Sequence, residues 1–174
     1  MIPEENHNPA RTHARQPMWL RVIMVLLAVP NIAAGLWAII APQHWFDTFP
    51  GWAPQLVAAF PPYNEHLATD AGSGLFASGV AMALAAWWPR REVVITAALA
   101  FLAFALPHFL WHFINPSDAL TSPEDTVNDI SLAAAVVGAG VVLMWQWHHS
   151  IRRPASPASP PTTARIGRTE GVTQ

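Results

Sequence analysis

The chain has 174 residues, 52% of them apolar and only 11% charged, with a net charge of −2 and no cysteine. That length allows one compact bundle with two tails, and the low charged fraction suits a lipid-facing surface, not a soluble domain. The missing cysteine excludes disulfides, thiolate metal sites and thiol redox chemistry, including a Cys-x-x-Cys quinone–thiol relay.

Taken in chain order, residues 1–17 are polar and rich in His, Asn, Pro and Arg, and they read as a disordered cytoplasmic tail. A first span follows at about 18–41. It is too long for the apolar core of a signal peptide and no small-x-small cleavage site follows it, so an uncleaved span is expected. Within it, Pro30 frees the Leu26 carbonyl and the neighbouring Asn31 needs an interior partner. The stretch from Pro42 to His66 carries Trp45, Phe46, Phe49, Trp52, Leu56, Val57 and Phe60, punctuated by Pro50-Gly51, Pro54 and Pro61-Pro62. Such a segment lies in the membrane interface or folds over the mouth of the bundle, where it would act as a lid.

The second span is expected at about 67–88 and the third at 93–114, joined by little more than Pro89-Arg90-Arg91 and so forming a tight antiparallel hairpin. A fourth span is expected at 127–147, preceded by Ser122-Pro123-Glu124-Asp125, a capping-box pattern with Pro at the first helical position. Each span has the roughly 20 residues needed to cross about 30 Å of hydrocarbon. Residues 151–174, with Pro154, Pro157, Pro160 and Pro161 among Ser, Ala and Thr, read as a second disordered cytoplasmic tail. The fold class expected is all-α, a four-helix transmembrane bundle.

The nine basic residues give the bundle an orientation. Arg11, Arg15 and Arg21 lie at or before the start of span one, Arg90 and Arg91 between spans two and three, and Arg152, Arg153, Arg165 and Arg168 after span four. The two other connections hold no Lys or Arg but do hold Asp47, Glu65, Asp118, Glu124 and Asp125. This is the positive-inside pattern, and it predicts both termini in the cytoplasm of a multi-pass protein of the plasma or inner membrane. Trp19, Trp87, Trp88, Trp145 and Trp147 at the inner ends, with Trp37 and Trp111 near the outer ends, fit aromatic belts at both interfaces. The lipid bilayer is thus one partner, and nothing in the chain suits nucleic acid. Small residues at Gly74 and Ser78, at Ala77, Ala81 and Ala85, and at Ala134 and Gly138 allow close helix approach, within the chain, to a second copy or to a membrane partner.

That orientation gathers polar side chains at the outer end. His66 and Asp70 are four apart on span two, His108 and His112 four apart on span three, and Asn128 and Asp129 lie on span four, with His44 just beyond span one. Polar groups in a span turn inward and pair, so a cluster of His66, Asp70, His108, His112 and Asp129 is expected, with Asn128 beside it. Imidazoles four apart can ligate a divalent metal, making His66, His108 and His112 candidate ligands. Histidines on facing helices can instead hold a haem. His and Asp can also relay protons or hydrogen-bond a quinone or other polar head group. A hydrogen-bond network that only fixes helix register would use the same residues. Pro107 should loosen the helix just before His108 and so aim that ring.

The string Pro61-Pro62-Tyr63-Asn64-Glu65-His66-Leu67-Ala68-Thr69-Asp70 and the segment Leu106-Pro107-His108-Phe109-Leu110-Trp111-His112 resemble uncharacterised four-span integral membrane proteins of actinobacteria. The likeness covers about residues 18–147. More distantly, the span count and size resemble DoxX-like four-helix membrane proteins, some of which are linked to quinone-dependent redox chemistry. That likeness implies the fold and leaves the activity unassigned.

Overall fold

A computed structural model describes residues 16–151. It contains α1 (Met18–Ile40), α2 (Pro42–Thr48), α3 (Glu65–Trp87), α4 (Arg91–Ile114) and α5 (Ser122–Ile151), and no strand among the described residues. The four long helices are each long and apolar enough to cross a membrane. The expected disorder of the two tails concerns residues that, apart from Gln16, Pro17 and Ile151, lie outside the described range. Gln16 is held to α5 by a reciprocal side-chain pair with Gln146, at 3.2 and 3.0 Å.

Local sequence sets the helix ends. Asn64 caps α3, its side-chain oxygen accepting from the Leu67 N–H at 3.0 Å. At the start of α5 the capping box is centred one residue earlier than the expected Ser122. Glu124 Oε2 accepts from both the N–H and the hydroxyl of Thr121, each at 2.8 Å. At the other end of α3, Arg21 of α1 donates to the carbonyls of Ala86 and Trp87, satisfying acceptors that a helix C-terminus leaves open. The short α2 appears inside the loop expected to be irregular; Pro42 occupies its first turn, where a missing N–H costs nothing.

Around the bundle α1 packs on α3, α3 on α4, α4 on α5 and α5 on α1, and the diagonal pairs do not meet. The α1–α3 seam is the tightest. Gly35 lies against Gly72 and the Phe76 backbone, and Gly79 against Ala28 and Ile32, so the two backbones approach with no side chain between them. Of the small residues singled out in the sequence, Gly74 makes room for the Phe104 ring of α4, and Gly138 lies nearest Leu27 and Ile23 of α1.

The packed core lies towards one end. Leu20, Met24, Leu27, Met82, Ala85, Val94, Ala98, Phe101, Ala139 and Val142 form it, and nearly all belong to the helix halves nearest the Arg-bearing connections. Trp19 closes that end against Trp145, edge to face with ring centroids 4.9 Å apart. The other half is built differently, with a smaller cluster of Ala38, Trp45 and Ala68 under the loop and open space between the helices.

The charge pattern predicts which half faces outward. Cysteine introduced at Ser117 or Gln55 should react with an impermeant thiol reagent in intact cells, while cysteine at Ser159 should not. The opposite labelling pattern would reverse the orientation.

Candidate ligand cavity

The half of the bundle away from the Arg-bearing connections holds a partly open cavity of about 1090 Å³. Its walls follow from helical spacing. α3 presents Leu67, Ala68, Ala71 and Leu75, α4 presents Phe101, Phe104, Ala105, His108, Trp111 and His112, and α5 presents Val127, Asn128, Ser131, Leu132 and Ala135. Steps of three and four keep each set on one face of its helix. α1 contributes Pro30, Asn31 and Ala34, and the loop adds Trp45, Phe46, Phe49, Trp52, Val57 and Phe60. The loop covers part of the cavity: its aromatic side chains form part of the wall, and the Ser117 hydroxyl ties it down by donating to the Ala59 carbonyl at 2.6 Å.

Asn31 does not find the interior partner expected of it. Its amide donates to the Leu27 carbonyl of its own helix at 2.9 Å, one residue beyond the acceptor that Pro30 leaves unpaired. The polar side chain therefore sits on the cavity wall without bridging two helices. α4 likewise continues through Pro107 without a break.

His108 and His112 form the polar centre of the site. Their rings meet edge to face, with centroids 4.9 Å apart. Phe104 stacks nearly parallel on His108, with centroids 5.7 Å apart, and Phe60 of the loop meets His112 edge-on, with centroids 4.9 Å apart. Aromatic packing, not hydrogen bonding, thus orients both imidazoles. The buried Nδ1 of His112 has no hydrogen-bond partner, and neither does the indole N–H of Trp45. On the α5 wall Asn128 is only 8% exposed, and its amide bonds to none of the described residues.

The six residues expected to cluster do not form one group. His66 and Asp70 pair with each other at 3.4 Å, with side chains 83% and 61% exposed, and neither lies on the cavity wall. Their positions on α3 turn away from the face carrying Ala68, Ala71 and Leu75. Asp129 also lies off the wall; one of its oxygens is buried without a hydrogen-bond partner, and it makes no ion pair with a described residue. His44 is engaged outside the cavity, where its Nδ1 accepts from the Trp37 indole at 2.9 Å. The triad of His66, His108 and His112 is therefore not assembled, and among the described residues no three His, Asp or Glu side chains are placed to hold a metal ion. Both cavity histidines come from α4, so they do not face each other from two helices as axial haem ligands would.

The electrostatics of the wall are simple. Among the described residues it carries no Lys or Arg and one carboxylate, Glu124, whose Oε2 caps α5. The α1–α5 side is closed towards the Arg-bearing end by Trp19 on Trp145, Gln16 on Gln146 and Leu27 on Gly138. Further out the cavity itself separates Pro30, Asn31 and Ala34 from Asn128, Ser131 and Ala135. No protein-family model, curated protein or solved structure matches the chain.

Proposed function

We propose that the protein is a ligand-binding protein of the plasma or inner membrane, whose outward-facing cavity holds a small, mostly apolar molecule by its polar end. The observation that carries this reading is the cavity of about 1090 Å³, walled by aromatic and aliphatic side chains around His108, His112 and Asn128. Small-molecule sites have this character, with volumes of roughly 300–1,000 Å³, apolar walls and a few convergent polar groups. The alternative, an accessory protein whose polar cluster only fixes helix packing, requires those groups to be bonded across helices. His108 and His112 touch aromatic rings instead, and Asn128 keeps its amide free. A buried polar group left unpaired costs about 1–3 kcal/mol, an expense a bound ligand would offset.

The resemblance to DoxX-like proteins makes a quinone the first member of the ligand class to test. Trp45, Trp52 and Trp111 line the cavity, so a bound quinone would quench part of the indole fluorescence. Titrating the protein in lipid nanodiscs with decyl-benzoquinone should give saturable, partial quenching. His108→Phe keeps a ring of similar shape and removes both nitrogens, and it should weaken binding about tenfold, as expected for one hydrogen bond lost from an apolar site. Quenching that rises linearly without saturation, equally in both proteins, would contradict the reading.

A further inference from the structure

The wall of the cavity also narrows the chemistry of what it can hold, given that it is a ligand site. We infer that the ligand is an uncharged, bilayer-dissolved molecule with a hydroxyl head, an alcohol or phenol on an apolar body. Three observations lead there.

The first concerns charge. A carboxylate or phosphate carried into this space would lose its water and meet no cation, because no Lys or Arg lines the wall. Burying an unpaired charge is far more costly than burying a neutral polar group. An ammonium head only donates, so it leaves the donor side of Asn128 unpaired, and the one carboxylate it could meet on the wall, Glu124, has its Oε2 engaged by Thr121. The second concerns hydrogen-bonding character. The Asn128 amide offers both a donor and an acceptor, and a neutral imidazole offers one of each. A hydroxyl, which donates and accepts at one atom, complements such a set. A carbonyl, such as a quinone's, pairs the donors and leaves the acceptor side of Asn128 unpaired, so a quinone binds less tightly than its hydroxyl-bearing reduced form, and an alkane pairs neither side. The third concerns access. α1 and α5 hold together towards the cytoplasmic end and are parted by the cavity towards the outer end, where Val127 and Ile130 are exposed at what would be lipid level. A molecule dissolved in the outer half of the bilayer meets that side of the bundle directly.

The test compares four probes of equal chain length, dodecanol, dodecanoic acid at alkaline pH, dodecylamine and dodecane, added to wild-type protein in lipid nanodiscs while the melting temperature is followed. A ligand that binds only the folded state raises that temperature with its concentration. Dodecanol should give the largest shift, dodecane and the amine smaller ones, and the acid none. In Asn128→Leu the dodecanol shift should fall to that of dodecane while the dodecane shift is kept, corresponding to about tenfold weaker binding of the alcohol. Should Asn128→Leu fail to fold, His108→Phe carries the same comparison. Acid or amine binding as tightly as the alcohol would overturn the inference about the head group and leave the cavity a ligand site. Failure of all four probes to shift the melting temperature would instead overturn the ligand-site reading itself.

Discussion

Gly35→Ala should destabilise the protein more than any other single methyl addition in the bundle. The new Cβ would lie 2.7 Å from the Gly72 carbonyl oxygen and 2.8 Å from the Phe76 Cα, with the Phe76 backbone nitrogen closer still. Those atoms belong to the α3 backbone, so no side-chain rotation relieves the overlap and the two helices must separate. Overpacking a well-packed core typically costs 1–3 kcal/mol, and a clash between backbones belongs at or above about 3 kcal/mol. Gly79→Ala meets the Ile32 nitrogen at 2.8 Å and the Ala28 carbonyl at 3.0 Å, and should follow closely. Gly140→Ala is the control: nothing lies within 4 Å of its added Cβ, so the gain in helix propensity, up to about 1 kcal/mol, should leave stability unchanged or higher. Thermal unfolding in one detergent compares all three. Equal losses at Gly35 and Gly140 would mean that α1 and α3 are not so close.

Ser131→Trp should abolish quinone binding without unfolding the bundle. Ser131 lies on the cavity wall midway along the α5 face, where its hydroxyl only donates to the Asn128 carbonyl of its own helix at 2.7 Å. It is not packed in the core, so an indole can replace it without displacing packed core. The ring would occupy cavity space that a ligand needs. Quenching by decyl-benzoquinone should fall below detection, with the melting temperature of the ligand-free protein within a few degrees of wild type. Binding that survives this change would place the ligand elsewhere on the molecule.

How much of this was legible in the sequence depended on which physical signal each feature leaves. The four spans were, because twenty apolar residues between charged connections have few alternatives. Their ends shifted by a few residues, most at α5, which extends past the apolar stretch in both directions and starts early because Thr121 and Glu124 cap it there. The close approach of α1 to α3 was not foreseen. A single Gly35 leaves no spacing pattern within its own helix, and its meaning comes from Gly72 and Gly79 on another. Pairing His108 with His112 and placing Asn128 nearby followed from helical steps of four and from the adjacency of spans three and four. The mistaken part was His66 and Asp70. Both lie in the first turns of α3, where a polar pair can stay solvated at the membrane surface, so the tendency of polar groups to turn inward did not apply. The aromatic partners Phe60 and Phe104 were also missed as site residues, although Phe104 precedes His108 by four and shares its face.

The most direct measurement is native mass spectrometry of the protein released from nanodiscs made with its own host membranes. A cavity that serves as a ligand site should yield wild-type protein carrying one additional small, uncharged molecule per chain, and Ser131→Trp purified in parallel should carry none. Wild-type protein that arrives bare and takes up neither quinone nor alcohol, or adducts retained equally by wild type and Ser131→Trp, would contradict the assignment of the outer cavity as a binding site.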